Sequence, residues 1–363
     1  MTDMQRLQNL RNKLLAGGPD GLLIGSAHNR RYLSGFRGSA GWLLITSSAA
    51  YLAVDFRYVE QAKQEAAGFE ILHIIGDLQS WLPGLLTKLH ISQLGFESDH
   101  VAYSTYQSIS RLSKTANPPF KLLPVQNMVE SLRMVKEDGE LIAIQKACKI
   151  ADEAIQAIAV HLEAGASEKQ VAWDLESMLR RHGSDTLPFE IIVASGPNAA
   201  LPHAQPSDRT IGEGETVIID FGARCGGYCS DMTRTFIIGD ETEKFVTVYN
   251  IVLGAQMTAL SLIEKGMSAR SADALARDMI DSAGYGEFFG HGLGHGVGLE
   301  THESPRIGTL SDDILQDDMV FTVEPGIYLP GWGGVRIEDT VTITGGKLRT
   351  LTHAAKKSHI KGG

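Results

Sequence analysis

Apolar and polar positions over the first 125 residues alternate between a strand-like and a helix-like spacing. Short runs rich in Leu, Ile and Val predict strands, and segments with apolar residues three or four apart predict helices. Asn117-Pro118-Pro119 ends any helix before the last strand. The pattern therefore predicts an α/β domain. Its predicted strands are 21–24, 42–46, 51–54, 71–75, 93–96 and 120–125, and its predicted helices are 1–15, 57–67, 81–90 and 104–115.

A boundary predicted near residue 128 divides the chain into a domain of residues 1–128 and a domain of residues 129–363. In the second domain, long segments with helical spacing alternate with runs of strand-forming residues. The predicted helices are 136–163, 168–182, 243–265 and 269–283, and the predicted strands are 190–194, 216–221, 228–238, 319–323 and 335–343.

The second domain repeats its own pattern of helix caps. Glycine just past a helix suits a left-handed C-terminal cap, and serine just before a helix suits an N-cap. Two helix pairs could share these caps by chance, but an internal duplication explains all of them and would place a site between two related halves. The equivalent residues, each pair 101 apart, are Gly165 and Gly266, Ser167 and Ser268, and Gly183 and Gly284.

Composition argues against several classes of protein. A chain with 43% hydrophobic and 21% charged residues is ordinary for a globular protein and does not resemble a disordered one. A net charge of −10 disfavours a nucleic-acid partner, because affinity for phosphates comes largely from Lys and Arg. Three cysteines are too few for a disulfide framework. Neither a signal segment nor a membrane span is recognisable, so we expect a cytoplasmic protein without a membrane partner.

Four carboxylates lie in or beside apolar strands, where an isolated charge is costly. Asp220 and Asp231 are separated by Gly226-Gly227, whose turn can bring both aspartates to one face of a hairpin. Glu324 and Glu338 occupy similar places in the other half. One such aspartate alone would suggest an ordinary hydrogen bond at a strand end. The set of four indicates that a positive charge gathers them.

A glycine-rich segment with histidines follows the last predicted helix. Residues 289–299 read Phe-Gly-His-Gly-Leu-Gly-His-Gly-Val-Gly-Leu, and His302-Glu303 comes soon after. The glycine spacing does not match the dinucleotide-binding motif, and His302-Glu303 lacks the second histidine of the zinc-protease helix. Alternating glycines keep the backbone thin, so His291 and His295 can project beside a ligand or metal. One histidine alone favours a structural role, whereas the group favours a ligand role.

Four carboxylates and one imidazole form a hard ligand set, suited to Mn, Co or Zn. Five ligands are too many for one closed zinc site and too few for two separate ions. Bridging carboxylates resolve this count if two metals lie about 3.5–4 Å apart. Such a pair lowers the pKa of bound water from about 15.7 towards about 7, which suits hydrolysis. No Gly-x-Ser-x-Gly motif supports a serine hydrolase of that type.

These residues together resemble the pita-bread metallopeptidases, the family of aminopeptidase P, prolidase, methionine aminopeptidase and creatinase. The resemblance covers about residues 130–350. It implies an α/β N-terminal domain followed by an α+β pita-bread catalytic domain with an internal pseudo-twofold repeat. The matching motifs are Asp220-Phe221-Gly222, Ser230-Asp231-Met232-Thr233-Arg234-Thr235, the segment 291–299 with His302-Glu303, Val323-Glu324-Pro325-Gly326 and Arg336-Ile337-Glu338-Asp339-Thr340.

The resemblance also implies a role for each candidate residue. It implies two divalent metal ions per chain, with manganese expected and cobalt or zinc as alternatives. Glu324 would also carry a proton during catalysis, and Arg336 would support a metal-binding glutamate. The implied metal ligands are Asp220, Asp231, His295, Glu324 and Glu338. The implied substrate-binding histidines are His203, His291 and His302.

Two segments of the first domain bear on the substrate. Residues 32–41 and Asp55-Phe56-Arg57-Tyr58 resemble the N-domain of aminopeptidase P, although Arg37 and Phe56 replace its commoner Thr and Gly. We therefore expect an Xaa-Pro aminopeptidase that acts on peptides with proline in second position. Xaa-Pro dipeptidase (prolidase) is the alternative, and a catalytically idle member that binds a partner protein is another. Resemblance alone implies a homodimer.

Overall fold

The computed structural model describes residues 3–159, 162–356 and 359–360. Residues 1–2 of the first predicted helix, residues 160–161 of the predicted helix 136–163, and residues 357–358 and 361–363 of the tail lie outside this part. The chain divides into two compact units between Arg133 and Met134. The predicted boundary near residue 128 precedes a short helix that packs in the first unit, where the Arg133 guanidinium donates to Asn29 Oδ1 at 2.8 Å.

The first unit contains one six-stranded sheet with helices, as the α/β prediction requires. Each predicted strand is present, with its ends shifted by at most two residues. The pattern does not predict the polar helix Ala27–Ser34, which Ser26 caps by accepting from Asn29 N. The strands are β1 (Gly21–Ile24), β2 (Trp42–Thr46), β3 (Ala50–Val54), β4 (Glu70–His73), β5 (Gln93–Glu97) and β6 (Lys121–Val125). The helices are α1 (Asp3–Leu15), α2 (Ala27–Ser34), α3 (Val59–Glu65), α4 (Leu78–Lys88), α5 (Tyr103–Thr115) and α6 (Glu130–Arg133).

The sheet of the first unit is mixed, with the order β4-β3-β2-β1-β5-β6. The central strand β1 pairs antiparallel with β2 and parallel with β5. Leucines of β1 and β2 pack in one cluster with apolar residues of α4 and α5. Burial of these side chains supplies the main driving force for this layered arrangement.

The second unit is built from two helix pairs and two larger sheets. The helices are α7 (Asp138–Ala159), α8 (Glu168–Arg181), α9 (Glu243–Leu262) and α10 (Ala269–Ser282), with 3₁₀ turns at Gly196–Ala200 and Gly286–Phe288. The strands are β7 (Ile192–Ser195), β8 (Thr216–Phe221), β9 (Arg224–Cys225), β10 (Tyr228–Cys229), β11 (Met232–Ile238), β12 (Gly294–Gly296), β13 (Glu303–Ile307), β14 (Val320–Val323), β15 (Gly326–Leu329), β16 (Gly333–Arg336), β17 (Asp339–Thr344), β18 (Lys347–Thr350) and β19 (His359–Ile360).

Each half of the second unit contributes one of the larger sheets. The first has the order β19-β11-β8-β7, and the second has the order β13-β12-β14-β17-β18. Buried residues of α7 and α8 pack against the first sheet, and those of α9 and α10 pack against the second. The β9-β10 and β15-β16 hairpins complete the described part of this unit.

Helix caps confirm the internal repeat. The glycines at 165, 183, 266 and 284 all have positive φ, between 82° and 103°, as left-handed caps require. Ser167 and Ser268 each accept a hydrogen bond from the backbone three residues ahead. Each serine also forms an isolated antiparallel bridge, with Thr210 and Ile314 respectively. The two helix pairs are therefore built and anchored in the same way.

The predicted strands 228–238 and 335–343 are wrong as continuous elements. The first divides into β10 and β11, and the second into β16 and β17. Asp231 and Glu338 lie in the two breaks, where their backbone N–H groups turn to the other half of the unit. Asp231 N donates to Thr340 Oγ1 at 3.1 Å, and Glu338 N donates to Thr233 O at 3.1 Å. These cross-half bonds replace the strand ladder at each break.

Helix α9 is the one described helix that is long and apolar enough, by length and composition alone, to cross a membrane. Phe245, Val248, Val252 and Ala259 of this helix are completely buried. They belong to the core cluster that includes the strands of the second half. This packing is that of a core helix.

A buried ion pair joins the two halves of the second unit. Arg234 on β11 and Asp339 on β17 are 2.8 Å apart, with side chains only 2% and 1% exposed. Arg234 also donates to the carbonyl of Ala354, and the Lys356 ammonium lies 2.7 Å from Asp339. Removal of Asp339 would leave the buried Arg234 guanidinium without its ion-pair partner, whereas removal of Arg234 would leave Asp339 with Lys356 as its cation. The pair therefore links the stability of the two halves.

We predict that Arg234→Met destabilises the second unit by about 3 kcal/mol, because Asp339 then keeps Lys356 as its cation but loses the guanidinium, and the Ala354 carbonyl loses its donor. Urea unfolding followed by circular dichroism measures the change. Arg180→Met is the matched control, since Arg180 on α8 pairs with Glu176 at half exposure and such pairs contribute about 1 kcal/mol or less. Equal losses in the two variants would contradict a special role for the buried pair.

Candidate metal centre

The predicted ligands converge from both sheets of the second unit. Asp220 lies on β8 directly opposite Thr233 of β11, and Asp231 comes two residues before Thr233. Directly opposite residues share a face, so Asp220 points to the side of Thr233, and its charge reaches Asp231 in the break just before β11. On the other sheet, Val323 at the end of β14 pairs with Asp339 of β17, which places the next residue in the chain, Glu324, beside the break that contains Glu338.

His295, on β12, faces these carboxylates with one ring nitrogen. Its Nδ1 lies 3.1 Å from the carbonyl of Gly296, which can only accept, so Nδ1 carries the proton. Nε2 then offers a lone pair, 3.6 Å from Asp231 Oδ2 and 3.4 Å from Glu324 Oε1. This orientation, fixed by a backbone carbonyl, is typical of a metal-binding histidine.

Two glycines allow His295 to approach so closely. A Cβ on Gly294 would collide with the backbone carbonyl of Thr322, and one on Gly296 would collide with that of Ser304. β12 can therefore pack between β13 and β14 only if these positions lack side chains. The alternating glycines are predicted to keep the backbone thin beside His295, and at Gly294 and Gly296 they do so by allowing close contact with the neighbouring strands.

The converging carboxylates disfavour one another's ionisation. Burial, followed by the charges of Glu338, Asp220 and Glu324, raises the pKa of Asp231 well above its usual range. Burial and the neighbouring carboxylates Glu324 and Asp220 similarly raise the pKa of Glu338, and burial raises the pKa of Glu324. One ligand atom each from Asp231, His295 and Glu338 lies within 4.8 Å of the others. This arrangement needs a cation to be stable in its ionised form.

Asp220 supplies a further indication. Its Oδ2 accepts from Arg336 Nη2 at 2.8 Å. Its Oδ1 is buried and, within the described part of the chain, has no hydrogen-bond partner. A buried carboxylate oxygen without a donor is rare, and it fits a position that a metal ion would complete. Carboxylate oxygens with one imidazole nitrogen are the ligands that hard or borderline divalent cations prefer.

Threonine hydroxyls that the sequence analysis does not single out support the ligands. Thr233 Oγ1 donates to Glu338 Oε2 at 2.6 Å, and Thr322 Oγ1 donates to Glu324 Oε1 at 3.1 Å. Thr340 Oγ1 donates to Asp231 O at 2.7 Å. Each threonine lies two residues from a carboxylate ligand along the chain. The period of a strand is therefore the signal that could have found them.

His291 and Arg336 meet at a residue that the pattern misses, Tyr328. The Tyr328 hydroxyl lies 2.9 Å from His291 Nε2 and accepts from Arg336 Nη1 at 2.8 Å. Arg336 Nε also donates to Thr233 Oγ1 at 3.0 Å. Tyr328 lies on β15, which begins at Gly326. The sequence Pro325-Gly326 is typical of a turn, so the pattern does not predict a strand there. The Arg336 guanidinium thus connects Asp220, Tyr328 and Thr233, the threonine that donates to Glu338.

His302 and His203 lie at the exposed side of the centre. The His302 ring is 4.3 Å from the His295 ring, centroid to centroid. Burial, then His295, and to a smaller extent His203, lower the pKa of His302, which places His203 within electrostatic reach. The carbonyl of Pro202, next to His203, accepts from Arg336 at 3.4 Å. The structure thus brings all the predicted site residues to one region of the second unit.

A buried glutamate outside the prediction holds the loop of His203. Glu168, at the first turn of α8, is completely buried. Its carboxylate accepts from the backbone and hydroxyl groups of Ser195 and Ser207, at 2.6–3.1 Å, and from Asn198 Nδ2. These serines lie on either side of His203 in the chain. Glu168 therefore closes the loop at its base.

Comparison with known proteins assigns the fold to a family. Residues 142–345 match "Metallopeptidase family M24", and residues 6–135 match "Creatinase/Prolidase N-terminal domain". The chain belongs to metallopeptidase family M24, as the resemblance of its motifs predicts. The pita-bread architecture is confirmed by the solved structures that it resembles.

Named relatives span nearly the whole chain. The chain is 41% identical to a solved Xaa-Pro dipeptidase from Bacillus anthracis, with a TM-score of 0.95 over 99% of this chain and 100% of that one. It is 39% identical to an Xaa-Pro dipeptidase of Pyrococcus horikoshii, over 93% of this chain and 94% of the relative. It is also 37% identical to a solved X-Pro aminopeptidase from Thermotoga maritima, with a TM-score of 0.89 over 98% of this chain and 99% of that one.

We predict that Asp231→Asn removes stabilisation by Mn²⁺ without destabilising the metal-free protein. In wild type, Mn²⁺ at one hundred times its Kd should stabilise the fold by about 2.7 kcal/mol. The variant loses a metal ligand. It also loses a carboxyl group whose pKa is raised in the folded protein, and such a group makes the metal-free protein less stable as the pH rises past the pKa of the unfolded group. Thermal unfolding at pH 7.5, with EDTA or Mn²⁺, measures both effects.

The matched control is Asp208→Asn, because Asp208 is an exposed carboxylate paired with Lys169. It should leave both unfolding curves unchanged. A large loss of stability for Asp231→Asn in EDTA, or an undiminished response to Mn²⁺, would contradict the assignment of Asp231 as a ligand.

Proposed function

We propose that this chain is a metal-dependent Xaa-Pro dipeptidase, which hydrolyses the bond between an N-terminal residue and a C-terminal proline. The observation that carries the hydrolytic part is the burial of mutually repelling carboxylates against the free nitrogen of His295. The names of the relatives support the substrate. They favour dipeptidase over the aminopeptidase expected from the N-domain motifs.

The residues present fit two divalent cations, held by the set Asp220, Asp231, His295, Glu324 and Glu338. When bound, such ions lower the pKa of a water molecule and polarise a carbonyl oxygen. Manganese is the proposed metal, with cobalt and zinc as alternatives that share the same ligand chemistry.

Glu324 is the proposed proton carrier. Hydrolysis adds a water oxygen to the carbonyl carbon and breaks the bond from that carbon to the proline nitrogen. Because this nitrogen carries no hydrogen in the peptide, it must gain a proton as it leaves. Glu324 Oε1 or Oε2 can accept the water proton and return it to the nitrogen. Burial raises the pKa of Glu324 above its usual value.

The histidines are proposed to hold the substrate. Burial, the largest influence, lowers the pKa of His291 and of His302, so both rings are neutral near pH 7 and can donate one hydrogen bond. In the free enzyme, His291 Nδ1 lies 2.8 Å from the Gly292 carbonyl and carries the proton, so Nε2 accepts from the Tyr328 hydroxyl. His291 would donate to the scissile carbonyl from Nε2 after the ring proton moves to that nitrogen. His302 and His203, on the exposed side, would contact the proline end. Arg336 keeps Asp220 and Tyr328 in place for these contacts.

Substrate length tests the dipeptidase assignment. Mn²⁺-loaded enzyme should cleave Met-Pro and leave Met-Pro-Gly intact under the same conditions, with free methionine measured by chromatography. A kcat/KM for the dipeptide at least about 100-fold higher corresponds to roughly 2.7 kcal/mol of discrimination. Preferential cleavage of the tripeptide would favour Xaa-Pro aminopeptidase, the second candidate, which the motifs at 32–41 and the Thermotoga maritima relative support.

Glu324→Gln should abolish turnover, because an amide cannot carry the proton and is a weaker metal ligand. We expect kcat to fall by at least about 1,000-fold, within the range for loss of general acid–base catalysis, while circular dichroism stays unchanged. Glu60→Gln, at an exposed glutamate of α3, should keep full activity. Near-normal turnover of Glu324→Gln in Mn²⁺ would overturn its role, and a wild type that binds Mn²⁺ but cleaves no Xaa-Pro peptide would favour the idle, partner-binding alternative.

A further inference from the structure

His291 lies in a glycine-rich segment whose local sequence does not restrict the backbone to one conformation. The residue lies between the 3₁₀ turn Gly286–Phe288 and strand β12, in a stretch without regular structure. Gly290 and Gly292 flank it, and glycine gives the backbone more conformational freedom than any other residue. The side chain nevertheless meets Tyr328 at 2.9 Å. Some other part of the chain must fix the backbone beneath this ring.

A pair of charged residues on α10 provides that support. Asp273 and Arg277 are four residues apart, so they lie on one face of the helix. Their contact is bidentate, with Arg277 Nε to Asp273 Oδ2 at 2.7 Å and Arg277 Nη2 to Asp273 Oδ1 at 2.9 Å. The Asp273 side chain is 1% exposed, and that of Arg277 is 21% exposed. The Asp273 carboxylate and the Arg277 guanidinium can each form further hydrogen bonds with the backbone that faces them.

That remaining capacity is directed at the backbone around His291. Arg277 Nη1 donates to Phe289 O at 2.9 Å, and Arg277 Nη2 donates to His291 O at 2.7 Å. Asp273 Oδ1 accepts from Leu293 N at 2.9 Å. The pair therefore holds alternate residues over a five-residue stretch, from residue 289 to residue 293. Charge-assisted bonds of this kind are about twice as strong as neutral ones.

Ring contacts extend the same support to the imidazole. The Arg277 guanidinium carbon lies 4.3 Å from the centre of the Phe289 ring. The Phe289 ring in turn meets the His291 ring edge to face, at 5.0 Å between centroids. Phe289 is buried, so it cannot move aside. Arg277 thus reaches His291 by two routes, through the His291 carbonyl and through the Phe289 ring.

We infer that Asp273 and Arg277 are positioning residues, which set the orientation of His291 toward the substrate carbonyl. Neither side chain touches the candidate ligands, so the pair acts through His291. The inference deepens the proposed function and rests on it for the role of His291 in the reaction. Lysine is no substitute for Arg277, because a single ammonium cannot reproduce the planar fork that contacts Asp273 and two carbonyls.

The chain offers a matched control on the same helix. Arg270 of α10 pairs with Asp312 at 2.9 Å, but the two side chains are 58% and 92% exposed. Arg270→Met therefore removes an arginine–aspartate pair from α10 without affecting the segment of His291. Differences between Arg277→Met and Arg270→Met then report the contacts at 289–293 rather than the loss of a helix charge.

The first measurement is a double-mutant cycle with Mn²⁺-loaded enzyme and an Xaa-Pro dipeptide. Arg277→Met and Arg277→Lys should each lower kcat by about 100-fold, the scale expected for a small misplacement of a reacting group, while KM changes by less than about 3-fold. In the His291→Ala background, Arg277→Met should cause no further loss. A full additional 100-fold loss there would overturn the inference, because it would show that Arg277 acts independently of His291.

The second measurement does not depend on activity. Amide hydrogen exchange of the metal-free protein should be faster at residues 289–294 in Arg277→Lys than in wild type, and should be unchanged there in Arg270→Met. Unaltered exchange in Arg277→Lys would overturn the positioning role whatever the enzyme cleaves. A wild type that cleaves neither dipeptide nor tripeptide would instead overturn the proposed function, and the exchange result would still decide whether Asp273 and Arg277 hold this segment.

Discussion

The repulsion among buried carboxylates is the constraint on which the rest of the second unit depends. Asp231 and Glu338 are both nearly inaccessible to water. Burial, then neighbouring carboxylates, raise the pKa of each: Glu338 and Asp220 act on Asp231, and Glu324 and Asp220 act on Glu338. Folding alone gives no reason to assemble such a cluster, since apolar residues in these places would be more stable. A structure that contains this cluster must hold the carboxylates in place by other contacts and must gain stability when a cation binds.

The other contacts come from neutral hydroxyls and from one arginine. Thr233, Thr322 and Thr340 each hold one carboxylate residue, either by its side chain or by its backbone. Arg336 spans Asp220, Tyr328 and Thr233, so the orientations of a candidate ligand and of the buried Tyr328 depend on one guanidinium. The centre is therefore stiff before any metal or substrate arrives, which is the property that electrostatic catalysis requires.

Much of this could be predicted from the sequence, for identifiable physical reasons. Apolar periodicity located the strands of the first unit, and glycine caps such as Gly165 and Gly266 revealed the repeat, because both signals are local. The breaks at Asp231 and Glu338 could not be predicted, because they arise from bonds between halves that are distant in the chain. Tyr328 follows Pro325-Gly326, which signals a turn and not a strand. Asp273 lies within the predicted helix 269–283, where no local pattern distinguishes it from other polar helix residues. Its role depends on a loop that only the folded chain brings near it.

The Arg234–Asp339 pair has a consequence for how the second unit loses its structure. Although the two halves repeat one design, this buried ion pair is divided between them, since the guanidinium belongs to one half and the carboxylate to the other. Opening of the half that holds Asp339 would leave the buried Arg234 guanidinium without its ion-pair partner. The two halves are alike in architecture, but we expect them to unfold together as one cooperative unit. Partial unfolding of one half therefore costs more free energy than it would in a stack of independent repeats.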